Sequence, residues 1–214
     1  MIRSPLRAGL ALACALSLTS CGGGDGEFYL SGVVYGINKG NLVLTNNGGS
    51  DKTITSAGTF YFDDLVDADS SYNIEVKSVP DNIASPAECK VTGGKGKATF
   101  NITTIVVSCT INTHELGGTV SGLAGSTNDK PLVLLNGSDR VEVTPAALPT
   151  PDTPPASVSQ PVKFAKVPED GKYGITILQQ PTDRRCEVAN GIGTMLKADI
   201  TNVQVTCTPI VPAV

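Results

Sequence analysis

A cysteine-bearing stretch that occurs twice limits what this chain can fold into. The first copy reads Cys89-Lys-Val-Thr-Gly-Gly-Lys-Gly96 and closes with Ile102-Thr-Thr-Ile-Val-Val-Ser-Cys109-Thr110. The second reads Cys186-Glu-Val-Ala-Asn-Gly-Ile-Gly193 and closes with Ile200-Thr-Asn-Val-Gln-Val-Thr-Cys207-Thr208. Both follow C-x-V-x-x-G-x-G and then I-T-x-x-x-V-x-C-T. The matched cysteines lie 97 and 98 positions apart, so the chain is a tandem repeat with one residue of slack between its copies.

The first twenty residues have the layout of an export signal. Arg3 and Arg7 supply the positive start, and Leu10 to Leu18 is apolar but too short to span a bilayer. The segment ends Leu18-Thr-Ser-Cys21, which resembles the lipobox of bacterial lipoproteins. That resemblance implies cleavage before Cys21 and a palmitate-type lipid anchor on its sulfur; Gly22, rather than Asp, after the cysteine points to the outer membrane. Residues Gly22 to Gly26 make a flexible tether. Cys14 leaves with the signal, so four cysteines remain as equivalent pairs in an exported chain. Disulfides Cys89 with Cys109 and Cys186 with Cys207 follow. Zinc fits poorly, because separations of 20 and 21 contain no C-x2-C knuckle and His114 is the single histidine; no cofactor is expected.

Charge narrows the partners. Removal of Arg3 and Arg7 leaves 14 basic against 20 acidic residues, a net charge of −6 on the mature chain. With no basic cluster, the chain has no electrostatic grip on a phosphate backbone, and nucleic acid is excluded as a partner. Membrane attachment then depends on the lipid.

The periodicity within each copy is that of β-structure. Leu30-Ser-Gly-Val-Val-Tyr-Gly-Ile37 matches Leu116-Gly-Gly-Thr-Val-Ser-Gly-Leu123, and Leu42-Val-Leu44 matches Leu132-Val-Leu134, each followed by turn-forming Asn, Gly, Ser and Asp. Tyr72 to Lys77 and Tyr173 to Ile177 alternate apolar with polar and are ended by Pro80 and Pro181. In the closing strands Ile105, Val107 and Cys109, like Val203, Val205 and Cys207, fall on one face. About seven short strands per copy and no helical period predict an all-β chain of two tandem Ig-like, prealbumin-like β-sandwiches. Each is small and, with no Trp, short of core; one bridge adds about 3 kcal/mol. A turn at Gly93-Gly94 would set Cys89 opposite about residue 98. We therefore expect a glycine hairpin, with Gly96 and Gly193 at positive φ, and then a further strand returning beside the first cysteine.

The organisation expected is signal 1–20, lipidated cysteine and tether 21–28, first sandwich 29–111, connector 112–115, second sandwich 116–209 and tail 210–214. Repeat 2 alone carries a proline-rich segment, 144–161, with six prolines, read as a long loop where repeat 1 has a short turn near Ser56 to Gly58.

Chemistry has little to work with. His114, the lone histidine, sits in the connector and reads as a solvated linker residue, so no enzyme is expected. Gly93-Gly-Lys-Gly-Lys97 lacks the leading glycine and trailing hydroxyl of a P-loop. Asp63, Asp64, Asp67 and Asp69 offer hard oxygen ligands and form a weak calcium candidate; the matching stretch in repeat 2, Ala165 to Asp170, keeps the loop but loses half the acids. Sequons at Asn101 and Asn136 read as incidental.

The repeat resembles a module of surface lipoproteins from Gram-negative bacteria, marked by Gly117-Gly-Thr-Val-Ser-Gly-Leu123, by Asn46-Asn-Gly-Gly49 and by both cysteine motifs; Val34-Tyr35 departs where that family has Val-Ser. This implies fold and address rather than activity. The reading is a non-catalytic, lipid-anchored outer-membrane module for binding, adhesion or spacing, with a protein or glycan ligand. The alternative is an inhibitor or immunity lipoprotein that neutralises an envelope enzyme or effector.

Overall fold

The computed structural model describes residues 26–127 and 130–210. The export signal, Cys21 and the tail from 211 onward lie outside the described residues. Repeat 1 comprises β1 (Glu27–Phe28), β2 (Leu30–Tyr35), β3 (Leu42–Asn46), β4 (Ser50–Ile54), β5 (Gly58–Tyr61), β6 (Val66–Asp67), β7 (Ser71–Ser78), β8 (Cys89–Thr92), β9 (Lys95–Lys97) and β10 (Ile102–Cys109). Repeat 2 comprises β11 (Thr113–Ser121), β12 (Leu132–Asn136), β13 (Asp139–Val143), β14 (Ser159–Pro168), β15 (Lys172–Gln179), β16 (Arg184–Ala189), β17 (Ile192–Thr194) and β18 (Ile200–Pro209).

Each repeat is a sandwich of two four-stranded sheets. In the first the orders are β5-β2-β10-β8 and β4-β3-β7-β9; in the second, β14-β11-β18-β16 and β13-β12-β15-β17. Strand for strand the two are the same, and β1 with β6 is an extra two-residue pair in repeat 1. Eight strands per sandwich replace the expected seven, because the segment after each first cysteine supplies two short strands to different sheets.

Alternation along the strands builds the cores. Val203, Val205 and Cys207 are buried while Asn202, Gln204 and Thr206 face solvent, and Ile105, Val107 and Cys109 repeat the pattern. The first and last long strands of each repeat lie parallel, β10 on β2 and β18 on β11. Both parallel ladders slip register at the same place, where Gly32 and Gly118 let the partner carbonyl come in. A Cβ on Gly32 would stand 2.0 Å from the Ile105 oxygen, and one on Gly118 would stand 1.8 Å from that of Val203. The glycine of the Gly-x-Val motif is therefore a packing requirement.

Cys109 stands opposite Cys89 in the β10–β8 ladder and Cys207 opposite Cys186 in the β18–β16 ladder. Both pairs are disulfide-bonded and buried in their own cores. The expected returning strand is thus β10 or β18, but the glycine hairpin does not form. At Gly93–Gly94 the chain crosses from one sheet to the other, and β9 pairs with β7. The left-handed residues of that crossing are Gly93 (φ 69°) and Asn190 (φ 56°), not Gly96 and Gly193. Those two recur because Tyr72 and Tyr173 lie on them: an added Cβ would meet the tyrosine oxygens at 2.9 and 2.5 Å.

Three boundaries shift. β1 already takes up residues assigned to the tether. β11 begins at Thr113, so the link between strands β10 and β11 is 110–112 and His114 belongs to a strand. β14 begins at Ser159, taking in Pro161; as an edge strand it tolerates proline. The one residue of slack is also located. Ala98 and Met195 are buried equivalents, bonded to Asp69 and Ser70 in one repeat and to Asp170 and Gly171 in the other. The extra residue therefore falls within 196–199.

Candidate functional site

A dense polar cluster lies where the two sandwiches meet. Repeat 1 contributes Asn38 and Lys39 from the loop after β2, and Asp81 and Asn82 from the loop after β7. Repeat 2 contributes His114 of β11, Glu169 and Asp170 after β14, and Lys197 from the lengthened loop; Asn112 is the last residue of the link.

The main chain ties these parts before any side chain does. The Asn112 amide donates to the Asn82 carbonyl at 2.9 Å, and Glu169 N–H donates to the Asn112 carbonyl at 2.8 Å. Across the same seam Asn38 Nδ2 donates to the Glu169 carbonyl at 2.8 Å, and Asn82 Nδ2 donates to Asn38 Oδ1 at 2.6 Å and to Asp170 Oδ2 at 3.1 Å. The link is consequently bonded on both sides.

Charge closes the seam. Lys39 Nζ pairs with Asp81 and, at 2.8 Å, with Asp170 of the other repeat. Lys197 Nζ returns the contact from repeat 2, 2.8 Å from Asp81 Oδ2. Hydrogen bonds from Lys197 and then Lys39 hold the Asp81 carboxyl down to about 2. Asp170, then Asp81, lifts the Lys39 ammonium well above the usual lysine range, and Asp81 raises Lys197. Behind them Glu169 is 2 % exposed. Its Oε2 lies 3.4 Å from Asn112 Nδ2 and 3.6 Å from His114 Nε2, and its Oε1 lies 3.8 Å from Lys197 Nζ. His114 faces Asp199 with its other nitrogen, at 3.9 Å. The expectation of a solvated linker histidine is corrected: its side chain is 20 % exposed and each ring nitrogen lies within 4 Å of a carboxylate, although Nε2 is buried without a hydrogen bond.

Sequence reasoning missed this cluster because its members are scattered over five loops and strand ends. A signal was present: repeat 2 keeps an acid at the place of Asp69, as Asp170, and adds Glu169 where repeat 1 has Ala68, and both lie in the seam. The calcium candidates do not converge. Asp63 pairs with Lys52 at 2.7 Å, Asp64 accepts from Ser50 at 2.6 Å, Asp67 lies in β6 opposite Glu27, and Asp69 is the left-handed residue before β7. Among the described residues no three metal-binding side chains group together. Asn101 and Asn136 cap strands with their amide oxygens, accepting from Tyr29 and Gly174.

The outer faces of the sandwiches differ beside Gly117. In repeat 2 a hollow of about 380 Å³ opens over Gly117, walled by Pro161 and Lys163 on one side and by Asp199 and Thr201 on the other. Among the described residues no helix is long and apolar enough to cross a membrane.

No protein-family model matches the chain, and neither does any curated protein. Among solved structures it is similar to a mutant of the shaft pilin SpaA from Lactobacillus rhamnosus GG, with 8 % identity over 87 % of this chain and 100 % of that one, TM-score 0.31. It is also similar to the Bacillus anthracis TIE protein, with 16 % identity over 84 % of this chain and 34 % of that one, TM-score 0.32. Two B repeat units of the Staphylococcus aureus collagen-binding protein share 12 % identity over 86 % of this chain and 50 % of theirs, TM-score 0.26.

Proposed function

We propose that the chain is a non-catalytic cell-envelope lipoprotein, anchored through Cys21, whose joined sandwiches form a stiff spacer that holds the second sandwich out from the membrane. The carrying observation is the seam: Lys39 and Lys197 each pair with Asp81, and Lys39 also grips Asp170, so charges from both repeats interlock. A link of three residues bonded to both repeats leaves little freedom for a hinge. A histidine enclosed between two carboxylates serves the joint rather than a substrate.

Anchoring is tested by Cys21→Ser. The variant should be soluble in the envelope fraction while the parent sediments with outer-membrane markers. A variant that still sediments after a salt wash, or a parent that follows inner-membrane markers, contradicts the assignment.

A further inference from the structure

The hollow on repeat 2 has a counterpart on repeat 1 that is already filled. The pairings Ser31 with Tyr61 in one sheet and Gly117 with Lys163 in the other make these positions equivalent. The residues two places earlier match as well, since the Tyr29 amide donates to Asn101 and the Glu115 amide to Asp199 in the same way. On repeat 1 the rings of Tyr29 and Tyr61 meet over this spot with centroids 6.1 Å apart, and Ser31 between them is 3 % exposed. On repeat 2 both tyrosines are absent, Glu115 and Lys163 take their places, and a hollow stands over the same patch although Gly117 itself is buried.

No side chain rises from the floor of the hollow at Gly117, which is buried in its strand, for a structural reason. A Cβ on Gly117 would lie 2.6 Å from the Val162 carbonyl oxygen, so no side chain can cover the patch from within. A largely apolar hollow with a proline ring on one wall suits the face of an aromatic ring, and Lys163 can lie over that ring as a cation.

We propose that this hollow binds a tyrosine side chain presented by a partner polypeptide, an assignment that rests on the second sandwich being the presented unit. The ring would occupy the place that the chain's own tyrosines fill on repeat 1. A polypeptide is the fitting source because a single ring has too few atoms for more than weak binding on its own. Flanking residues of a peptide can add contacts to the charged rim, where Lys163, Asp199 and the Glu115–Lys166 pair stand.

The test is an amide NMR titration of the soluble Cys21→Ser chain with acetyl-Gly-Tyr-Gly-amide, its leucine analogue and acetyl-tyrosine-amide, in the millimolar range. The tyrosine peptide should shift the amides of Gly117, Gly118 and Thr201, and bind at least about tenfold more tightly than the leucine peptide. Glu115→Tyr with Lys163→Tyr, which rebuilds the arrangement of repeat 1 from a half-buried and an exposed position, should abolish the shifts while leaving the rest of the spectrum in place. Thr201→Arg, which lays a long side chain across the opposite wall, is the second variant and should do the same. Equal binding of the leucine peptide, shifts that survive both variants, or no shifts at Gly117 would overturn the assignment. Binding of acetyl-tyrosine-amide as tight as the peptide would overturn the polypeptide source. Because the titration is done in solution, its failure leaves the anchoring test untouched.

Discussion

At the scale of single residues, the recurring glycines and tyrosines carry more of the fold than their plain chemistry suggests. Gly118→Ala would drive a methyl against the Val203 carbonyl, where the strand cannot withdraw without breaking the parallel ladder. We predict a loss of about 3 kcal/mol confined to repeat 2, read from urea denaturation followed by amide signals of each repeat; a loss below about 1 kcal/mol would show that the ladder yields. The positions of Gly32 and Gly118 were legible from the repeat, but their reason was not, since close approach of a carbonyl leaves no mark on periodicity. Gly96 and Gly193 illustrate the opposite error. Their recurrence suggested a turn, whereas each makes room for a tyrosine ring arriving from a strand more than twenty residues earlier or about twenty residues earlier.

At the scale of elements, period-two alternation was enough to assign both faces of the closing strands, and the tandem cysteines were enough to pair them. The crossing after each first cysteine was hidden, because a two-residue link between strands reads alike whether the second strand folds back or leaves for the other sheet. The bridges tie that crossing to the last strand. Cys89→Ser should therefore cost repeat 1 about 2–5 kcal/mol while repeat 2 melts as before, and calorimetry of the oxidised chain separates the two transitions. A matching fall in repeat 2 would mean that the cores are not independent. The proline-rich loop is held at its base by Gln160, which donates to the Thr144 carbonyl and accepts from the Ala146 amide. Deletion of 149–157 preserves those bonds and should change stability by less than about 1 kcal/mol, since loop closure depends only weakly on length. A larger loss, by thermal melt, would assign the loop a structural duty.

At the scale of the whole molecule, the two ends of a sandwich are put to different uses. The end of repeat 1 that carries Lys39, Asp81 and Asn82 receives repeat 2. The corresponding end of repeat 2 turns its polar groups inward. There Asp183 takes the Ser126 hydroxyl, the Thr127 amide at 3.2 Å and the Arg184 guanidinium at 2.9 Å. Burial opposes ionisation of Asp183, yet those three donors leave its carboxyl below the usual range. The docked seam should respond to acid. Because the Asp81 carboxyl is depressed, its contribution is complete above the ordinary 3.8 and is lost as pH falls through about 2. The seam should loosen over that interval while each disulfide-closed core persists. The most direct measurement is the alignment of the two sandwiches by residual dipolar couplings in the oxidised Cys21→Ser chain, with Lys39→Ala and Lys197→Ala combined as the comparison. One shared alignment tensor at neutral pH, separating into two in the double variant, is the predicted result; two unrelated tensors in the parent chain would contradict a stiff spacer.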